Sequence, residues 1–221
     1  AVNKGFKLAN GELIGWLNSD DVYFDEEVIS DMVDFFSKNN VDIAYGDRVI
    51  INKNNLLLRV HHIYPQFNYD MLKRVCYISQ PSTFFSKNVI EEHKLDPDID
   101  LPMDYDYWLR LADDDYNFRH IDRIVAGYRN HENAKTQSMK TKLGQQVKEV
   151  RSRHIDDLDD RKISKIKDNA VLAYNRLRGV QTMVEIYNKR RDLKFASEFK
   201  FDSLPKGIWR QLTYPQLSNN A

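Results

Sequence analysis

The sequence predicts an α/β fold, a mixed sheet flanked by helices, and three features carry that expectation. Short apolar runs closed by turn residues recur at residues 13–17, 41–44 and 48–51, the length and bounding expected of buried strands. Stretches with helical spacing of apolar residues lie between them. A turn at Lys53-Asn54-Asn55 then separates two strand-like runs and adds a hairpin, so antiparallel strands join the alternating pattern.

Taken in order, Ala1, Phe6 and Ala9 share a helical face, and Asn10-Gly11 stops that helix. Leu13, Ile14, Trp16 and Leu17 are too few for a helix and read as a short buried strand. Asp25-Glu26-Glu27 opens a second helix with carboxylates where the dipole favours them. Val28, Met32, Phe35 and Phe36 are its buried stripe, and Asn39-Asn40 ends it. Residues 41–44 and 48–51 are strand-like, and the hairpin turn leads to a strand over 56–63. QPSTFF at 80–85 is apolar and polar by turns, and Pro81 confines it to the start or edge of a strand.

After a loop rich in Pro and Asp, the stretch MDYDYWLRLA places Tyr105, Trp108, Leu109 and Ala112 on one helical face. Residues 118–128 alternate loosely, as a strand does, and run into YRNHENAKTQS. From Met139 the spacing is helical through Leu143, Val147 and Val150, then Ile163, Ile166 and Ala170, then Leu177, Val180 and Val184. Two regions are expected, a body over 1–138 and a helical extension over 139–221.

Charge divides the chain in the same place. The 221 residues balance 33 Lys and Arg against 33 Asp and Glu, but the body holds 15 against 23, a net of −8, and the extension 18 against 10, a net of +8. An acidic body does not suit nucleic acid. The basic extension either is a solvated helical surface or lies on an anionic membrane face. A single cysteine, Cys76, excludes an internal disulfide and a cysteine zinc cluster and leans towards a reducing, cytoplasmic setting. No apolar run approaches the roughly 20 residues of a membrane-spanning helix.

The candidate chemistry lies at the strand ends. Asp20 and Asp21 follow the first strand as adjacent hard oxygen ligands, suited to Mg²⁺ or Mn²⁺ shared with a substrate phosphate; the competing reading is a turn in which Asp21 or Asp25 caps the next helix. Asp104 and Asp106 sit in the first turn of a helix, either as dipole-stabilised acids or with one of them as a general base. Gln80, Ser82 and Thr83 line a polar pocket or belong to a plain edge strand. A P-loop, a Rossmann glycine motif and an H-E-x-x-H zinc motif are absent from the sequence.

Asn3 and Gly5 with ANGELIGWLNSDD, then QPSTFF, MDYDYWLRLA and YRNHENAKTQS, together resemble the family 2 glycosyltransferases of GT-A fold, in family order over residues 1–138. The resemblance implies a GT-A-like mixed sheet, here its carboxyl-side portion. It implies that the acidic turn is the D-x-D-like motif holding Mn²⁺ or Mg²⁺ against the diphosphate of a nucleotide sugar. Asn18 stands at the first position of that motif, so the metal rests on Asp20, with Asp21 beside it. The catalytic base falls on Asp104, with Asp106 nearest to replace it, because Met103 stands where the family has Glu. Arg129 and His131 fall on the R-x-H segment of the diphosphate side. Gln80, Pro81, Ser82 and Trp108 fall on the acceptor side.

The implied reaction is an inverting transfer from a UDP- or dTDP-linked donor to a saccharide or lipid-linked acceptor, in cell-surface polysaccharide synthesis. In family members the strands that bind the base and ribose precede the Asn3-x-Gly5 helix; this chain starts after them, so it is expected to be a fragment or a remnant. An open sheet edge is then expected, with self-association as its consequence. The competing reading is a non-catalytic glycosyltransferase-like module that binds a partner.

Overall fold

The computed structural model describes residues 1–61, 66–130, 139–155, 186 and 194–200. Its elements are α1 (Val2–Leu8), β1 (Leu13–Gly15), β2 (Val22–Tyr23), α2 (Val28–Lys38), β3 (Ile43–Ile51), β4 (Leu57–His61), α3 (Tyr69–Arg74), a 3-10 turn (Gln80–Ser82) and β5 (Thr83–Ser86). They continue with α4 (Lys87–Glu92), α5 (Met103–Asp113), β6 (Phe118–Arg129), α6 (Lys140–Ser152) and β7 (Phe195–Lys200). Seven strands form one mixed sheet flanked by helices, as expected.

β3 is its hub. β6 runs parallel to β3 along its whole length, from Ile43 opposite Phe118 to Ile51 opposite Arg129. On the other side, residues 43–45 pair antiparallel with β5 and residues 48–51 with β4. The sequence suggested two strands here, split at Tyr45-Gly46-Asp47. They form one strand, because Tyr45 and Asp47 are buried and the ladder to β6 continues past them with register shifts. Gly46 lies at the irregularity. A Cβ there would sit 2.5 Å from Val125 Cγ2 and 2.9 Å from the Arg123 carbonyl oxygen, so only glycine admits β6 this close.

The hairpin turn holds where the spacing placed it. Asn52 Oδ1 accepts the N–H groups of Asn54 and Leu56, and Asn55 takes φ 60°, a conformation asparagine tolerates. The short pieces β2, α3 and α4 carry too few residues to show a period, and none was expected. Within the extension, α6 realises the helical spacing after Met139, whereas residues 195–200 form β7 and pair with β4; the rest of the helical reading falls outside the described residues. Among the described residues β1 pairs on one side only, with β5.

Two apolar clusters cover the sheet. The first is aromatic, joining Phe6, Trp16, Tyr45, Phe85, Tyr105, Tyr107 and Trp108 under α1, α4, α5 and Val150 of α6. Phe6 sets its ring edge-on to Trp16 at 5.9 Å and to Phe85 at 5.5 Å, the geometry aromatic quadrupoles favour. The second packs Val28 and Met32 of α2 against Phe24, Val49, Leu57, Ile124 and Ile186. α5 is buried on nearly every face, Tyr107 and Leu111 included, so the single apolar stripe expected for it understates its burial. No helix among the described residues is long and apolar enough to cross a membrane.

Candidate functional site

β1 delivers the chain to the acidic turn, and two local and two long-range hydrogen bonds shape that turn. Asp21 N–H donates to the Asn18 carbonyl at 3.2 Å and closes it. Asn18 Nδ2 donates to Gln80 Oε1 at 2.8 Å and, more weakly, to Asp21 Oδ2 at 3.4 Å. Gln80 in turn donates its amide N–H to the Trp16 carbonyl. The 3-10 turn is thereby stitched to the end of β1.

The two acidic residues part company here. Asp21 is buried, and its Oδ1 accepts the backbone N–H of Arg129 at 2.8 Å. Desolvation pushes its carboxyl up, opposed by that hydrogen bond, with the neighbouring Asp20 charge adding to the rise. Asp20 is exposed. Its carbonyl accepts Arg129 Nε at 2.7 Å, and Arg129 Nη1 reaches the Asn52 carbonyl at 2.8 Å. Arg129 thus pins the acidic turn to the hairpin turn through backbone oxygens. His131 lies outside the described residues.

Asp104 stands in the first turn of α5, half-buried, with Oδ1 accepting the Tyr105 N–H at 2.8 Å. Burial raises its proton affinity; the hydrogen bonds and the positive charge of Arg48 oppose the rise. Asp106, two residues on, is fully buried and turned to other partners. Its Oδ2 accepts from Arg110 Nε at 2.9 Å, and Arg153 Nη1 lies 3.6 Å from Oδ1. Asp106 therefore ties α5 to the end of α6, leaving Asp104 as the carboxylate of this turn that interacts with Arg48.

The residues expected on the acceptor side are interior. Gln80, Pro81 and Ser82 are buried, and Ser82 Oγ donates to the Ser79 carbonyl at 3.1 Å. Trp108 is fully buried, its ring 6.5 Å from Trp16 and 6.3 Å from Phe85.

Arg48 was not expected. From β3 its Nη1 donates to Ser79 Oγ at 2.9 Å, and its guanidinium faces the Tyr128 ring at 5.2 Å. It interacts electrostatically with Asp21, Asp104 and Cys76, and desolvation lowers its proton affinity. A single cation opening an otherwise apolar strand, RVII, was the available signal. Cys76 keeps an exposed face, yet crowding by protein, and then the Asp104 charge, push its thiol up. A cavity of about 210 Å³ lined by Val22, Tyr23, Val49, Ile51 and Gly127 takes in none of these groups.

A divalent ion would meet one accessible carboxylate here, that of Asp20, with Asp21 beside it. Among the described residues no three His, Cys, Asp or Glu side chains cluster to hold a metal. That donor set fits Mg²⁺ or Mn²⁺ bound by one or two carboxylates and completed by substrate phosphates, and it does not fit an all-protein cage.

Comparison with known proteins bears on the same stretch. The model of glycosyl transferase family 2 matches residues 1–94, which hold the acidic turn, Arg48 and the 3-10 turn; Asp104 and Arg129 lie beyond the match. An uncharacterized glycosyltransferase, MJ1057, of Methanocaldococcus jannaschii is 23% identical over 148 residues, 64% of this chain and 50% of that protein. The chain spans about half the length of this curated relative. Among solved structures, S. aureus TarS 1–349 with UDP-GlcNAc superposes with a TM-score of 0.45 at 13% identity, covering 97% of this chain and 50% of that one. The same protein without ligand named gives 0.45 at 12% identity, covering 83% and 62%. Residues 1–94 of this chain are thus similar to glycosyl transferase family 2, and the curated relative is itself named a glycosyltransferase.

Proposed function

We propose that this chain is the catalytic-side portion of an inverting glycosyltransferase that moves a sugar from a UDP- or dTDP-linked donor to a saccharide or lipid-linked acceptor. One observation carries the reading. Arg48 of β3 is within electrostatic reach of both Asp21, in the acidic turn, and Asp104, at the start of α5, two carboxylates distant in sequence. A donor-activating carboxylate and a general base need that proximity.

In this reaction Asp104 takes the proton of an acceptor hydroxyl as its oxygen attacks the anomeric carbon, and the bond to the diphosphate oxygen breaks on the opposite face. Asp20 would hold Mn²⁺ or Mg²⁺, which supplies Lewis-acid neutralisation of the leaving diphosphate when bound. Arg129 sets the position of the acidic turn. A role for His131 at the diphosphate, a cytoplasmic setting and contact of the basic extension with the inner face of a membrane complete the proposal. Salt-sensitive sedimentation with anionic vesicles tests the last of these.

Calorimetric titration with UDP and with dTDP, each with and without Mn²⁺, tests the donor half. Binding that requires Mn²⁺ and is lost in Asp20→Ala is the expected result; metal-independent binding would refute the assignment of Asp20. The second reading, a module that binds a partner without catalysis, draws on the burial of Gln80, Ser82 and Trp108. Sugar transfer that disappears in Asp104→Asn eliminates it.

A further inference from the structure

Among the described residues Arg48 has no ion-pair partner. Its one hydrogen bond goes to an uncharged group, the Ser79 hydroxyl. Nε is buried without a hydrogen-bond partner among the described residues. Asp21 and Asp104 act on it electrostatically, but neither forms an ion pair with it among the described residues. Elsewhere in the molecule a buried guanidinium is matched directly: Arg123 meets Asp25 at 2.7 Å and also Asp31.

A buried guanidinium N–H without an acceptor, here Nε of the half-buried Arg48, is costly to the fold. Proteins keep such groups where a ligand supplies the anion. The edge of the guanidinium formed by Nε and Nη2 pairs side-on with oxyanions. With Nη1 on Ser79 and the plane against Tyr128, that edge has no acceptor among the described residues.

We propose that Arg48 binds a phosphate oxygen of a substrate through the guanidinium N–H groups that have no acceptor among the described residues. The proposal rests on the glycosyltransferase reading and extends it. As the anomeric C–O bond breaks, its electron pair passes to the diphosphate oxygen, and the Arg48 N–H donors meet the charge that develops there. The acceptor proton goes to Asp104. The same chemistry would serve a phosphate carried by the acceptor, and the two sources can be told apart.

The test is calorimetric titration of the whole chain, as wild type, Arg48→Lys, Arg48→Met and Asp20→Ala. The probes are inorganic pyrophosphate with Mn²⁺ and, separately, glycerol 3-phosphate without metal. Arg48→Met is expected to weaken pyrophosphate binding about tenfold or more, and Arg48→Lys to weaken it less. Loss confined to glycerol 3-phosphate assigns the phosphate to the acceptor.

Equal affinity of wild type and Arg48→Met for both probes overturns the proposal, as does absence of binding to the wild type. Pyrophosphate binding that depends on Arg48 but neither needs Mn²⁺ nor changes in Asp20→Ala upholds Arg48 and overturns the metal-dependent transfer reading instead. Thermal unfolding closes the test. Removing a guanidinium whose buried Nε has no partner among the described residues leaves the melting temperature of Arg48→Met at or above that of wild type, whereas a large fall would show a structural role and overturn the proposal.

Discussion

Asn18 Nδ2 donates to Gln80 Oε1 at 2.8 Å, and this bond explains why an amide stands at a position where the family has a carboxylate. Gln80 turns its own N–H towards the Trp16 carbonyl, so its oxygen faces Asn18 and requires a donor. A carboxylate at 18 would set two acceptors against each other. Asn18 therefore anchors the acidic turn to the 3-10 turn, and the exposed carboxylate of that turn is Asp20's.

Asn18→Asp is accordingly expected to destabilise the chain by about 1–3 kcal/mol, the cost of an unmatched acceptor in a partly buried site. Urea denaturation at neutral pH reads it as a lower midpoint at unchanged slope. Denaturation at pH 3, where the new carboxyl can donate, should recover part of the loss.

Asp20 and Asp21 separate on the same assay. Asp21→Ala removes the acceptor of the Arg129 N–H, which then has no partner, and should cost about 1–3 kcal/mol. Asp20→Ala, at an exposed position, should cost less, while weakening Mn²⁺-dependent nucleotide binding. Equal stability of the two variants would refute the division of labour between them.

Transfer should follow the protonation of Asp104. Burial raises its carboxyl above the ordinary aspartate value of about 3.9, so the folded chain retains this proton where the unfolded chain has released it. Two consequences have definite sign. Stability contributed by this group falls as pH rises from the ordinary value through the raised one, and the basic form needed for transfer accumulates only above the raised value. The acid limb of the kcat profile should therefore lie above that of a free aspartate, and move higher still in Arg48→Met, which loses an opposing positive charge. Asp104→Asn should lower kcat by about 10²–10⁴ and remove this group's contribution to the pH dependence of stability.

Arg123 makes a structural contrast. Its side chain and that of Asp25 are 6% and 8% exposed, and Asp25 Oδ2 has no hydrogen-bond partner among the described residues. Arg123→Met would strand a buried carboxylate. A loss of about 3–5 kcal/mol is expected, measured by chemical denaturation, with nucleotide binding per folded molecule unchanged.

Gly46→Ala tests the closeness of β3 and β6. The added Cβ would meet the Arg123 carbonyl at 2.9 Å, and backbone cannot move aside as a side-chain tip can. A loss of about 1–3 kcal/mol is expected. A neutral substitution would mean that the two strands are free to separate.

By itself the sequence determined the local elements and the residues that bear charge at their ends. Apolar spacing is a local property, so α1, α2, α5, the hairpin and the strand after residue 117 could be read from it, and so could the acidic turn and Asp104. Tertiary structure decided everything that depends on which side chains meet. It joined residues 41–44 and 48–51 into one strand through β6, brought in residues 195–200 as β7, and turned Gln80, Ser82 and Trp108 inward. It also gave Asp21 to Arg129 and Asp106 to Arg110 and Arg153. Arg48 shows the reason most plainly. In sequence it is one cation at the start of an apolar strand, and only folding buries its Nε without a hydrogen-bond partner and leaves it with no ion pair among the described residues. Desolvation and charge pairing are properties of neighbours in space, and the order of residues does not record them.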